Sequence, residues 1–215
     1  MPEDHYHRET VECRLERLRG EYGEFPVFEE VEMLEPDRFE TVRAEFEDGH
    51  SGAGYAWVVR EPADAPPVAE SMPDSNTTER PQVLLILHRG DDRAWSVVGG
   101  GREGDETYEA ATVREVREET GIEVDLGAPF AAHRGIFRSA DDAVDAVLHG
   151  LWVSFDATYA GGSLAIQPGE LRGAAWFADP PEDLGYWSQY RGREWWDDYE
   201  PAERWWEEFD RRDDG

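Results

Sequence analysis

The sequence predicts an α+β domain preceded by a helical N-terminal extension. Several short segments have strand composition, a single strong helical period stands among them, and the first fifty residues read as acidic helix. Residues 8–48 form two helical stretches on either side of Phe25-Pro26-Val27-Phe28, with Pro36 placed to begin the second. The extension is therefore taken as residues 1–50. Residues 54–61 (GYAWVVRE) and 82–89 (QVLLILHR) are rich in β-branched and aromatic side chains and read as strands. The stretch between them is rich in Pro, Ser and Asp without apolar periodicity, which makes 61–81 a flexible loop insertion. After Trp95-Ser96-Val97-Val98 comes a run of glycines, then a helical pattern over 107–120 that stops at Gly121, a residue suited to the left-handed position after a helix. Residues 122–126, 130–138 and 144–156 are strand-like, and 170–177 add a short closing strand. The central domain thus spans 51–184. Residues 185–215 form an aromatic-rich C-terminal helical segment, in which Trp187, Trp195, Trp196, Trp205 and Trp206 are expected to pack onto the core, nucleobase stacking being the alternative.

Charge restricts function further. Fifty acidic residues face 21 basic ones, and every basic residue is Arg, giving a formal charge of −29. Such a surface repels itself in dilute buffer and is relieved when salt shortens the screening length. The composition resembles that of cytoplasmic proteins from salt-in halophiles. It argues against a platform for duplex nucleic acid, which relies on clustered Lys and Arg. Cys13 is the only cysteine, so no internal disulfide or cysteine-rich zinc site can form. The N-terminus lacks a basic start followed by an apolar run, and no segment is apolar for 18 residues. A cytoplasmic protein without a membrane anchor is expected. Asn76-Thr77-Thr78 matches a glycosylation acceptor that this location would leave unused.

The chemistry is carried by residues 100–122, GGREGDETYEAATVREVREETGI. Gly100, Glu106, Arg114, Glu115, Val116, Glu118, Glu119, Gly121 and Ile122 fill every defined position of the pattern G-x5-E-x7-R-E-U-x-E-E-x-G-U, where U is a bulky aliphatic. Even in a glutamate-rich chain, chance agreement is on the order of 10⁻⁵. On a helical wheel Glu115, Glu118 and Glu119 share an arc of about 100°. Val116, Val113 and Ala110 lie opposite, so the three carboxylates are expected to face outward together, with small Ala111 leaving room between them. Neighbouring carboxylates raise one another's pKa unless a divalent cation compensates them, and oxygen ligands suit Mg²⁺ or Mn²⁺. A main-chain carbonyl at Gly99 or Gly100 can approach the same cation, while Glu106 and Arg114 can orient the set. Gly99, Gly101 and Gly104 also spell G-x-G-x-x-G, but the downstream strands read as a mixed set rather than the parallel strand that dinucleotide binding requires.

The segment resembles the Nudix box, and the chain is similar to the Nudix hydrolase family from about residue 54 to 184. The resemblance implies a mixed β-sheet sandwiched between α-helices. It implies a pyrophosphohydrolase that cleaves a phosphoanhydride bond of a nucleoside diphosphate linked to another moiety, with Mg²⁺ or Mn²⁺ held by Glu115, Glu118, Glu119 and the carbonyl of Gly99 or Gly100. Glu106 and Arg114 would support the set, and Arg89, Arg93, Arg102, Arg134 and Arg138 are candidates for substrate phosphate or carboxylate groups. Val98 stands where the family often has Pro, and Gly104-Asp105 replaces a common x-Gly pair. These departures alter the loop and spare the ligands. The general base is expected outside the box: Glu170, fixed by Pro168-Gly169 before the closing strand, is preferred to Asp141, Asp142 and Asp145. The alternative is a non-catalytic nucleotide sensor, which an intact box disfavours. The partner is a small nucleotide, and a homodimer built on residues 1–50 and the tail is left open.

The charge yields a direct expectation. Melting temperature and activity should rise as KCl goes from about 0.1 M toward molar levels, where the screening length shrinks from about 10 Å to about 3 Å. A melting temperature highest in dilute buffer, falling steadily with KCl, would contradict adaptation to salt.

Overall fold

The computed structural model describes residues 4–65, 79–90 and 94–197, without the side chains of residues 186 and 187. Asn76, Arg93, Trp205, Trp206 and most of the expected 61–81 loop lie outside the described residues. In chain order the elements are β1 (Asp4–Tyr6), α1 (Arg8–Tyr22), β2 (Val27–Leu34), α2 (Pro36–Glu47), β3 (Gly52–Arg60), β4 (Gln82–His88), β5 (Val98–Gly101), α3 (Tyr108–Thr120), β6 (Ile122–Ser139), β7 (Ala146–Gly162), β8 (Leu171–Phe177) and α4 (Tyr186–Trp195). Among the described residues the strands form one mixed sheet in the order β2-β6-β7-β3-β4-β8, with β1 on β7 and β5 on β3. This is the α+β class that the sequence predicts.

Two compact units divide the chain. The first comprises the described parts of Met1–Tyr55, Gly100–Thr112 and Ala128–Phe155. Both helices expected in the N-terminal segment are present, and the segment also contributes strands. β2 runs parallel to β6 from Val27 opposite Ala132 to Leu34 opposite Ser139, and β1 runs parallel to β7. The helical reading missed β2 because its apolar residues are interrupted by Glu29, Glu30 and Glu32. Those acids suit an edge strand, where like charges discourage pairing with another chain, and Val31 and Met33 are indeed exposed. One face of α2 buries Phe39, Val42 and Phe46 against Leu34 and Leu148. Burying such a side chain contributes roughly 2 kcal/mol, so this cluster can anchor the segment. Gly54 has a steric role in the same unit: a Cβ there would lie 2.1 Å from Thr112 Oγ1 and 2.7 Å from the Tyr108 carbonyl oxygen. Only glycine lets α3 approach so closely.

The second unit comprises the described parts of Ala56–Gly99, Val113–Gly127 and Asp156–Gly215. Here β4 pairs antiparallel with both β3 and β8. Val83, Leu84, Leu85 and Ile86 are all fully buried, which explains why β4 reads as a continuous apolar run rather than an alternating one. Leu84, Ile86, Val58, Val98, Val116, Ile122 and Leu171 share one core. Gly121 ends α3 at φ 72°, and its N–H donates to the Arg117 carbonyl at 2.8 Å, as its predicted role in stopping the helix requires. In α4, Trp195 and Trp196 meet buried Trp57 edge-on at ring distances of 6.2 and 5.5 Å. The Trp196 indole N–H donates to the Ala178 carbonyl at 3.0 Å, so these two aromatics pack as the sequence suggests.

Candidate active site

The helix that carries the box is set differently from the expectation of three outward carboxylates. Ala110 and Val113 are exposed, whereas Ala111, Val116 and Glu119 are buried. The expected apolar face therefore turns partly outward and the acidic face partly inward. At the start of the helix, in the first unit, the close approach at Gly54 goes with the burial of Tyr108, Ala111 and Thr112. In the second unit Glu115 is half-buried beside Val116, which is fully buried in the core. Glu119 is only 4% exposed. A helical wheel locates which residues share a face but not which face the rest of the protein covers.

Glu119 is the most perturbed carboxyl in the site. Burial, then the neighbouring charge of Glu115, raise its pKa to about 7; the Gly99 N–H, which donates to it, opposes them, and Glu170 adds to the rise. Its Oε2 atom is buried and has no hydrogen-bond partner. Glu115 is also shifted upward by burial, against the pull of Arg114. Arg114 Nη1 lies 2.9 Å from Glu115 Oε1 and 3.1 Å from Glu118 Oε2, with Glu118 the most open of the set at 56% side-chain exposure. As the side chains stand, no three such groups among the described residues are arranged to hold a cation. Arg114 supplies the positive charge for two of them, and the third is left with a desolvated oxygen. The donor set suits a hard divalent cation, and the partnerless Glu119 oxygen is the atom that would gain most from one.

Glu170 reaches the same group. Its charge is felt at both Glu115 and Glu119. The connection is Gln167, which sequence reasoning missed. Its main-chain N–H donates to the Glu119 carbonyl at 3.0 Å, and its Nε2 donates to Glu170 Oε1 at 3.2 Å. The Arg89 N–H donates to the Glu170 carbonyl at 2.8 Å, and Arg89 Nε to the Leu171 carbonyl at 3.2 Å. Residues 165–171 are thus stitched to the end of α3, with Ala165 N–H also donating to Thr120. The only hint in the sequence was the segment Gln167-Pro168-Gly169-Glu170, whose turn chemistry fixes a position without naming its neighbour.

The remaining candidates belong to the first unit. Glu106 Oε2 accepts from the Glu103 N–H at 3.0 Å, bracing the loop that follows Gly100. Arg102 is buried and donates from Nε and Nη2 to the Glu106 carbonyl. Arg134 lies 3.5 Å from Glu12, 3.4 Å from Glu29 and 3.3 Å from a ring nitrogen of His149. Arg138 is half-buried opposite Met33 in the β2 and β6 pairing. In the acidic turn Asp141 Oδ1 accepts from the Ala143 N–H at 2.9 Å, and the Asp145 carbonyl accepts from Asp4.

Comparison with known proteins agrees with the box. The profile of the NUDIX domain matches residues 67–196. The NAD-capped RNA hydrolase NudC of Stutzerimonas stutzeri is 30% identical over 108 residues, 45% of this chain and 36% of that protein. NudC of Deinococcus radiodurans is 35% identical over 100 residues, 45% of this chain and 32% of that protein. The chain therefore spans about a third of the length of these curated relatives. Among solved structures, a NUDIX-family hydrolase from Clostridium perfringens shows 16% identity and a TM-score of 0.46, covering 67% of this chain and 94% of that one.

Glu119 gives the site a pH signature. Its carboxyl is held protonated in the folded state up to about pH 7, against a usual value of 4.5. The stabilisation relative to the unfolded chain is complete below pH 4.5 and is lost as pH rises through about 7. The loss is on the order of 3 kcal/mol, and Glu119→Gln removes it. With divalent cations chelated, the melting temperature of the unsubstituted protein should fall relative to that of Glu119→Gln between about pH 5 and pH 8. Parallel pH profiles for the two proteins would show that Glu119 titrates normally.

Proposed function

Because the chain belongs to the NUDIX domain family, whose profile covers more than half of it, we propose that it hydrolyses a phosphoanhydride bond of a nucleoside diphosphate linked to a second group. The observation that carries this reading is Glu119, a buried carboxyl with one partnerless oxygen beside Glu115 and Glu170 in a box with every position filled. Glu115, Glu118 and Glu119, with the Gly99 or Gly100 carbonyl, would hold Mg²⁺ or Mn²⁺. When bound, the cation neutralises the diphosphate and makes water more acidic. The chain's own residues do the rest. Arg114 pairs with Glu115 and Glu118 and would keep these two carboxylates in position as they hold the cation. Glu170, held by Gln167 and outside the box, takes the proton of the attacking water. The water oxygen forms the new bond to phosphorus, the bridging P–O bond breaks, and two phosphate monoesters leave. Arg89, which directly follows β4 and whose main-chain N–H meets Glu170, is the arginine we assign to the substrate phosphates.

A small nucleotide is a better substrate for this chain than a capped RNA, the substrate named for the NudC relatives, because a surface of charge −29 repels a polyanion over many phosphates. The same charge without Lys supports a salt-rich cytoplasm as the working compartment. Among the described residues no helix is long and apolar enough to cross a membrane.

The deciding experiment is a panel of nucleoside diphosphate derivatives with phosphate-coupled detection in molar KCl, with Mg²⁺ and with Mn²⁺. Turnover should depend on the cation, and Glu118→Gln and Glu119→Gln should each lower it by about three orders of magnitude. Glu170→Gln should lower kcat by about 10² to 10⁴ with cation affinity little changed, and should recover in part at high pH as hydroxide replaces activated water. Near-normal turnover by both box variants at saturating Mg²⁺ would remove their assignment as ligands. A Glu170→Gln defect cured entirely by more Mg²⁺ would remove Glu170 as the base.

A further inference from the structure

A second group of unsatisfied polar atoms lies in the first unit, where α1 meets the loop leading into α3. Arg14 and Arg17 of α1, with Arg102, Glu106 and Tyr108, line a cavity of about 220 Å³. Arg102 is 4% exposed and Tyr108 is 1% exposed. Arg102 Nη1, Arg14 Nη1 and the Tyr108 hydroxyl are each buried and complete no hydrogen bond of good geometry, although Arg14 comes close enough to the Tyr108 hydroxyl to oppose the rise in its pKa that burial causes. Both guanidinium groups also stand over the Tyr108 ring, at 5.9 Å for Arg14 and 5.1 Å for Arg102.

Two carboxylates, those of Asp105 and Glu106, share the cavity with this pair and act on Arg102 through their charge. The other nitrogens of Arg102 donate to a neutral acceptor, the Glu106 carbonyl. Arg17 is held by both oxygens of Glu109 at 2.8 Å and by Glu21 at 3.1 Å. One Glu106 oxygen is bound to the Glu103 N–H. Burial, and then the proximity of Arg14, push the Arg102 pKa down, with Tyr108, Glu106 and Asp105 opposing the shift. In a chain with more than twice as many acids as bases, two guanidinium groups with buried, partnerless nitrogens at one cavity are costly unless an anion completes them.

Guanidinium forks are donors only and a phenol hydroxyl is donor-capable, which is the chemistry that an oxyanion takes. Small-molecule pockets usually measure about 300–1,000 Å³, so this cavity accepts a phosphoryl group and not a whole nucleotide. We propose that Arg14, Arg102 and Tyr108 form a binding site for one oxyanion of the phosphate class, not used in the hydrolysis assigned above. The anion bridges α1 of the N-terminal extension to the loop that Arg102 and Glu106 organise, which gives the extension a ligand-dependent hold on the start of the box. Free phosphate and the phosphoryl end of a nucleoside monophosphate share this chemistry.

The test is calorimetric titration of the full chain with potassium phosphate, and separately with adenosine 5′-monophosphate, against KCl at matched ionic strength. The unsubstituted protein should bind phosphate saturably at one site, and Arg14→Gln should weaken binding by about tenfold or more, the loss of one charge-assisted hydrogen bond. Tyr108→Phe, which keeps the ring under both guanidinium groups, should weaken it as well and decides the matter if Arg14→Gln does not fold. Arg14-dependent binding of the monophosphate alone supports the site with a phosphoester as its ligand. Binding that is the same in all three proteins, or no binding of either probe, overturns the proposal.

Discussion

Removing the Glu119 carboxyl from water is the constraint around which the candidate site is organised. An ionised carboxylate in that position keeps only the Gly99 N–H against the desolvation of its other oxygen and the charges of Glu115 and Glu170. The cost is met in one of two ways: the group keeps a proton, as its raised pKa indicates, or a cation takes the proton's place. Arg114 can do this for Glu115 and Glu118 because both lie within reach of one guanidinium nitrogen, and its geometry does not extend to Glu119. The site therefore holds a charge deficit at one defined atom, and a divalent cation there relieves burial and like-charge repulsion together.

The surroundings keep that atom where it is. Val116 sits in the same turn and is fully buried in the core with Leu84, Ile86 and Leu171, so the helix cannot roll to return Glu119 to water without exposing apolar surface. The Glu119 carbonyl is itself in use, accepting from Gln167, and the segment that carries Gln167 also carries Glu170. The main-chain bond that anchors the closing loop to the end of the helix therefore sets the spacing between a perturbed carboxyl and a candidate base.

Much of this was legible in the residues, for identifiable reasons. The box could be read because its chemistry fixes residue types at fixed spacing, and α3 and β4 because period and composition are strong over their lengths. The strand β2 was not, since acids on an exposed edge give the same composition as an acidic helix. The inward turn of Glu119 was not legible either: it goes with the burial of Val116 in a core whose other members, among them Leu84, Ile86 and Leu171, lie far away in sequence. Gln167 and Arg14 were passed over because their roles come from contacts between segments far apart in sequence, and neither stands in a pattern of its own. Glu170 was reached by the turn chemistry beside it, which located a rigid position.

The most direct measurement is the titration of the Glu119 side-chain carboxyl by carbon NMR, assigned by comparison with Glu119→Gln, first with divalent cations chelated and then with saturating Mg²⁺. Burial and the neighbouring charges predict an apparent pKa near 7 without the cation. With Mg²⁺ bound at this carboxyl, the ionised form should persist to below the ordinary value of 4.5. A titration near 4.5 that Mg²⁺ leaves unmoved would contradict both the desolvation of Glu119 and its place at the centre of the site.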